Sequence, residues 1–160
     1  KESERRWGTP VPVQLAIIYQ ESRFEAKAKP PRRRILGFIP GPRPSTAYGY
    51  PQALTSTWEV YERETGNWSA RRSNFADAAD FVGWYTAKTA YAHRLAKTDA
   101  YNLYLAYHEG DGGFGRGTHK RKKWLLNTAR RVSDLAARYR VQLSRCETQL
   151  ARGGWFSWLR

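Results

Sequence analysis

The stretch Thr9-Pro10-Val11-Pro12-Val13-Gln14-Leu15-Ala16-Ile17-Ile18-Tyr19-Gln20-Glu21-Ser22-Arg23-Phe24 reads in two ways. Val11, Val13, Leu15 and Ile17 alternate as in a strand, whereas Val13, Ile17, Ile18 and Phe24 recur at helical spacing. Pro12 decides for the helix. A proline inside a paired strand removes a ladder hydrogen bond, but in a first helical turn its missing N–H costs nothing. Thr9 then reads as the N-cap and Pro10 as the first helical residue. That phase puts Glu21 one turn after Ile17 and three residues after Ile18, on the face that should point into the core. A charged carboxylate there is costly unless it is paired or employed. Burial raises a carboxyl pKa, and a proton donor working near neutrality needs that shift. The plainer alternatives are an exposed Glu at a fraying helix end, or one paired with Arg23 or Arg34.

Outward from this helix the chain reads as mainly α. Residues 29–51 hold six prolines and three glycines, an irregular excursion with a short hairpin expected around Ile35 to Ile39. Loops this long inside a compact domain are usually functional or mobile. Helix resumes near Ser56, whose spacing from Glu59 is that of a capping box, and stops at Gly66. Asn74 caps the next helix, Phe75 to about Leu95. Thr98 caps another, Asp99 to Glu109, rich in Tyr101, Tyr104 and Tyr107. A glycine-rich break over 110–117 precedes a final helix from about Trp124 to Leu150. The expected organisation is one domain over residues 1–152 and an aromatic tail over 153–160. There is no internal repeat.

The totals narrow the class. A chain of 160 residues with 41% apolar residues, seven Trp, ten Tyr and six Phe can bury roughly 70% of its unfolded surface without staples. No run approaches the ~20 apolar residues of a membrane span. The charged segment Lys1 to Arg6 is not an apolar signal-peptide core, so any targeting segment is expected outside this sequence. The lone Cys146 has no partner within the chain. A formal net charge of +14 implies an anionic partner: nucleic acid, lipid headgroups or cell-wall polymers. The basic run Arg116, His119, Lys120, Arg121, Lys122 and Lys123 is compatible with a phosphate or carboxylate patch and is not specific for nucleic acid.

Two further segments bear on chemistry. Ala47-Tyr48-Gly49-Tyr50-Pro51-Gln52-Ala53-Leu54 mixes rings, a glycine and an amide just before a helix. Aromatic faces stack on sugar C–H faces, and Gln offers both donor and acceptor to hydroxyl or acetamido groups. An ordinary loop with packed tyrosines is the alternative. Ala106-Tyr107-His108-Glu109-Gly110-Asp111-Gly112 closes a Tyr-rich helix on glycine. There Tyr107 is placed to orient a carboxyl, and His108 and Glu109 to line a cleft. With no second His or Cys at ligand spacing, a zinc site has little support, and no cofactor is expected. Residues 110–115 fit the string GxGxxG. They follow a helix and not a strand, so the dinucleotide reading is rejected.

In this order the three segments resemble the lytic transglycosylase family, the SLT or goose-type lysozyme-like superfamily. Glu21-Ser22 matches its Glu-Ser motif at the end of an apolar helix. Ser45-Thr46-Ala47-Tyr48-Gly49-Tyr50-Pro51-Gln52 matches its Gly-Leu-Met-Gln segment, and Ala106-Tyr107-His108-Glu109-Gly110 its Ala-Tyr-Asn-Ala-Gly closure. Each motif is weak alone. Three in order over roughly residues 10 to 130 are specific. The departures are Tyr50-Pro51 for Leu-Met and His108-Glu109 for Asn-Ala, as in a distinct subfamily of small lipoprotein-like members.

The resemblance implies a single lysozyme-like helical domain that cleaves peptidoglycan glycan strands between N-acetylmuramic acid and N-acetylglucosamine, leaving 1,6-anhydro ends. It implies Glu21 as the acid and base, with Ser22 and Tyr107 orienting it. Ser45, Tyr48, Gly49, Tyr50 and Gln52 would hold the sugars, with His108 and Glu109 nearby. It further implies a monomer in the periplasm of a Gram-negative bacterium, anchored at the outer membrane as a lipoprotein, its basic surface suited to anionic membrane or wall polymers. Two other classes compete: a hydrolase using Glu21 and Glu109 to deliver water, and a non-catalytic basic module binding wall or nucleic acid.

Overall fold

In a computed structural model the described residues are 1–30, 34–35, 39–40 and 45–152. The tail at 153–160 lies outside them, as does the Arg34 side chain weighed above as a partner for Glu21. The chain is mainly α-helical: α1 (Glu2–Trp7), α2 (Val11–Ser22), α3 (Thr55–Thr65), α4 (Phe75–His93), α5 (Ala100–Gly115) and α6 (Lys123–Arg152), with a 3-10 turn at Thr118–Arg121. Strands β1 (Arg34–Ile35) and β2 (Ile39–Pro40) pair antiparallel, Ile35 opposite Ile39. The hairpin expected there is present. No described helix is long and apolar enough to cross a membrane.

Helix α2 is central, packed against α6 and α4, while α5 packs on α4 and α6. Val13, Ala16, Ile17 and Ile18 are buried in the core, at the spacing of one helical face. On α6 the buried residues Leu125, Ala129, Val132 and Ala136 recur every three or four positions, a stripe laid against α2 and α5. Between α3 and α4 the rings of Trp58, Tyr61, Phe81 and Trp84 pack at centroid distances of 5.1 to 5.6 Å.

Several helix starts differ from the sequence reading. Pro10, not Thr9, is the N-cap of α2, and Pro12 occupies the first turn. Thr9 is fully buried, and its hydroxyl meets that of Thr86 at 2.9 Å. The missing cap is replaced from outside the helix, because the Glu4 carboxylate accepts from Val11 N at 3.1 Å. Glu4 belongs to α1, a helix not anticipated in the charged opening segment. Helix α3 starts at Thr55, so Ser56 and Glu59 form no capping box; Thr55 N donates instead to Thr46 Oγ1 at 3.2 Å. Asp99, not Thr98, caps α5 through Asn102 N. Asn74 caps α4 as expected, and Gly66 ends α3 in the left-handed region. The glycine break is a kink at Gly110 (φ 73°, ψ 159°), after which helix continues to Gly115.

Candidate active site

Glu21 stands one residue before the end of α2. The helix stops there because Arg23 and Phe24 both take positive φ, 55° and 64°, with Arg23 N closing on Tyr19 O at 2.8 Å. The side chain opens into a cavity of ≈ 390 Å³ that also collects Ser45, Gln52, Tyr107, His108 and Glu109, with Phe81 and Tyr85 among its walls. Residues from α2, the loop before α3, α4 and α5 therefore converge on one carboxyl.

Burial pushes the Glu21 carboxyl up to about 7, partly offset by a hydrogen bond from the Tyr104 hydroxyl. Desolvation disfavours the charged form, and a donor to the carboxylate favours it. Tyr104 is itself held well above the ordinary phenol value by burial and by the neighbouring Glu21, so it remains a donor. Tyr104 was not singled out in the sequence. It sits three residues before Tyr107 and shares its helix face, which is the signal that would have found it.

Tyr107 points elsewhere. Its hydroxyl donates to Pro51 O at 2.6 Å, and its ring packs on Tyr85 at 5.1 Å. It lines the cavity and ties α5 to the loop, and the influence on Glu21 expected of it comes from Tyr104. Ser22 is also corrected: it is buried, and its hydroxyl donates back to Ile18 O at 3.1 Å, as serine in a helix commonly does.

The loop over 45–54 owes its shape to close backbone contacts. Gly49 has φ +75°, and a Cβ there would lie 2.2 Å from the Arg72 carbonyl oxygen. Its N–H donates to Ala28 O at 2.9 Å, and Tyr50 N to Arg72 O at 3.0 Å. The Arg72 guanidinium reaches back to Thr46 O and Ala53 O at 3.0 and 2.9 Å. Gln52 donates its amide to Ala28 O and Gly49 O at 3.0 and 2.9 Å. This directs the nitrogen into the loop and leaves the carbonyl oxygen as the end suited to a ligand. Tyr48 and Tyr50 do not line the cavity. Tyr48 lies between the cations of Lys29 and Arg72, at 5.5 and 5.4 Å. Tyr50 packs edge-on to Phe75 at 5.3 Å, joining a ring chain through Phe24 to Tyr19. Both support the loop, as does Gly49.

Glu109 is the second carboxylate of the cavity, and its environment is the reverse of that of Glu21. Its side chain is only 4% exposed, with Lys122 Nζ at 2.7 Å and His108 Nδ1 at 3.2 Å; the Thr118 hydroxyl donates to the other oxygen. Desolvation raises this carboxyl, but the bonds from Lys122, Thr118 and His108 overcome it and hold it at about 2. Two carboxyls in one cleft are thus pushed apart, one towards neutrality and one firmly ionised. Among the described residues no group of three or more His, Cys, Asp or Glu is arranged to hold a metal ion.

The family model for the Transglycosylase SLT domain matches residues 1–146. No curated protein and no solved structure matches the chain.

Proposed function

The chain belongs to the transglycosylase SLT domain family, whose members act on peptidoglycan, and from that premise we propose a lytic transglycosylase in which Glu21 is first the acid and then the base. The observation that carries the reading is the single carboxyl raised to about 7 in the wall of the cleft, with the Tyr104 hydroxyl as the neighbour that tempers the rise. Near neutral pH a large fraction of such a group is protonated and able to donate.

Glu21 gives its proton to the oxygen joining C1 of N-acetylmuramic acid to N-acetylglucosamine, and the C1–O bond breaks. The C6 hydroxyl of the same muramyl residue closes on C1, and its proton returns to Glu21. The enzyme is regenerated, no water is consumed, and the product carries a 1,6-anhydro end. Gln52, through its carbonyl oxygen, Ser45 and His108 contact the sugars. Tyr107 holds the loop against α5 and leaves a firm wall. The reaction belongs in the periplasm, where this substrate lies.

The two-carboxylate hydrolase is less well supported. A second carboxylate that activates water has to accept a proton, and one held at about 2 by Lys122 and Thr118 is a weak base. A purely binding module leaves the raised Glu21 without a use. The test is clearance of a sacculus suspension by wild type and Glu21→Gln. Loss of clearance by a variant that melts no lower than wild type is expected, and wild-type rates in the variant would end the assignment.

A further inference from the structure

His108-Glu109 stands where the resemblance leads one to expect Asn-Ala, and these two residues are tied to a segment outside all three motifs. Glu109 receives bonds from Thr118 and Lys122. His108 bonds Glu109 on one side, and on the other its ring meets Trp124 nearly perpendicularly, 78° at 5.1 Å. Trp124 opens α6 and is 57% exposed. His108 lines the cavity; Trp124 stands beside it on the solvent side. Single exposed rings are ordinary, as at Trp68 and Tyr91; Trp124 differs in packing against a residue that lines the cleft. With perpendicular rings, His108 covers one indole face at most, so apolar surface stays open next to a residue of the cleft wall.

We propose that Trp124 and His108 form a sugar platform at the outer end of the cleft, stacking an N-acetylhexosamine ring beyond the residues at the scissile bond. Glu109 is a positioning residue in this arrangement: with Lys122 and Thr118 it holds the imidazole, which in turn braces the indole. The inference rests on the reading of the cleft as a glycan site. It adds a specific subsite built from His108, at which this chain departs from the pattern it resembles, and Trp124, which lies outside the three motifs.

The experiment is calorimetric titration of chitotetraose into Glu21→Gln, which removes turnover, and into the same protein with Trp124→Ala or Trp124→Phe added. Trp124→Ala should weaken binding about two- to tenfold, the range of a lost aromatic contact. Trp124→Phe should recover most of it, and the melting temperature should be unchanged because the ring is largely exposed. In the background of active Glu21, Trp124→Ala should raise the apparent KM for sacculi with kcat preserved. Equal affinities across the three proteins, or no binding by any of them, overturns the platform. Wild-type activity on sacculi in those cases would leave the Glu21 assignment standing, while an inactive wild type overturns both.

Discussion

The Tyr104 hydroxyl pulls the Glu21 carboxyl down against the upward push of burial, while Tyr107, three residues along the same helix face, turns its hydroxyl 2.6 Å from Pro51 O. Neighbouring phenols on α5 thus divide two tasks. One adjusts the acid, and the other fastens the loop that forms the opposite wall.

Removing the Tyr104 hydroxyl gives a direct test of that division. This hydroxyl favours the charged form of Glu21, so Tyr104→Phe should raise its pKa above about 7. Only protonated Glu21 donates, so wild-type activity should fall as pH rises through about 7, and the variant should lose activity at higher pH. The pH–rate profile of muropeptide release reads this shift. A mere packing defect would lower the rate without moving the limb.

The raised carboxyl also costs stability. With a folded value of about 7 against an ordinary 4.5, the folded state carries no penalty below pH 4.5, where Glu21 is protonated folded or unfolded. The penalty grows between 4.5 and 7 and is complete above. At roughly 1.4 kcal/mol per unit it amounts to at most about 3.5 kcal/mol. Glu21→Gln should therefore melt above wild type at pH 8, with the difference vanishing near pH 4. Melting curves across pH check both ends.

Glu109 should behave in the opposite sense. Its folded value is held down, so its contribution is present above the ordinary carboxylate range and is lost as pH falls towards about 2. Glu109→Gln leaves the Lys122 ammonium without its partner and should cost about 1.5–3 kcal/mol, the value of hydrogen bonds to charged groups. Urea unfolding at pH 7 measures it. The bond cleaved and the product chemistry should not change.

Gly49→Ala probes the loop. A Cβ 2.2 Å from the Arg72 carbonyl, at φ +75°, cannot be absorbed by a side-chain movement. A loss of about 2 kcal/mol or more is expected, with reduced activity because Gln52 hangs from the same turn. Thermal unfolding together with sacculus clearance tests it.

What was legible in the sequence followed from periodicity and order. The phase of Ile17 and Ile18 placed Glu21 inward. The three ordered segments named Ser45, Gln52, Tyr107, His108 and Glu109, which the fold brings to one cavity with Glu21. What was missed depended on contacts between distant parts of the chain. Thr9 and Ser56 have capping chemistry, but Thr86 and the actual start of α3 decide otherwise. Tyr48 and Tyr50 read as sugar platforms until Arg72 and Phe75 are seen occupying their rings. Tyr104 and Tyr107 are chemically identical in the sequence, and only the packing of α5 against α2 and the loop separates their roles. The pairing of Glu109 with Lys122, across the Gly110 kink, was equally hidden.

The most direct test of Glu21 as a lone acid and base is mass spectrometry of soluble products from purified sacculi incubated with wild type and with Glu21→Gln. Anhydro-muropeptides from wild type alone are the expected result. Reducing-end products from wild type would contradict it and transfer the base role to a second carboxylate; anhydro products persisting in Glu21→Gln would remove Glu21 from the chemistry.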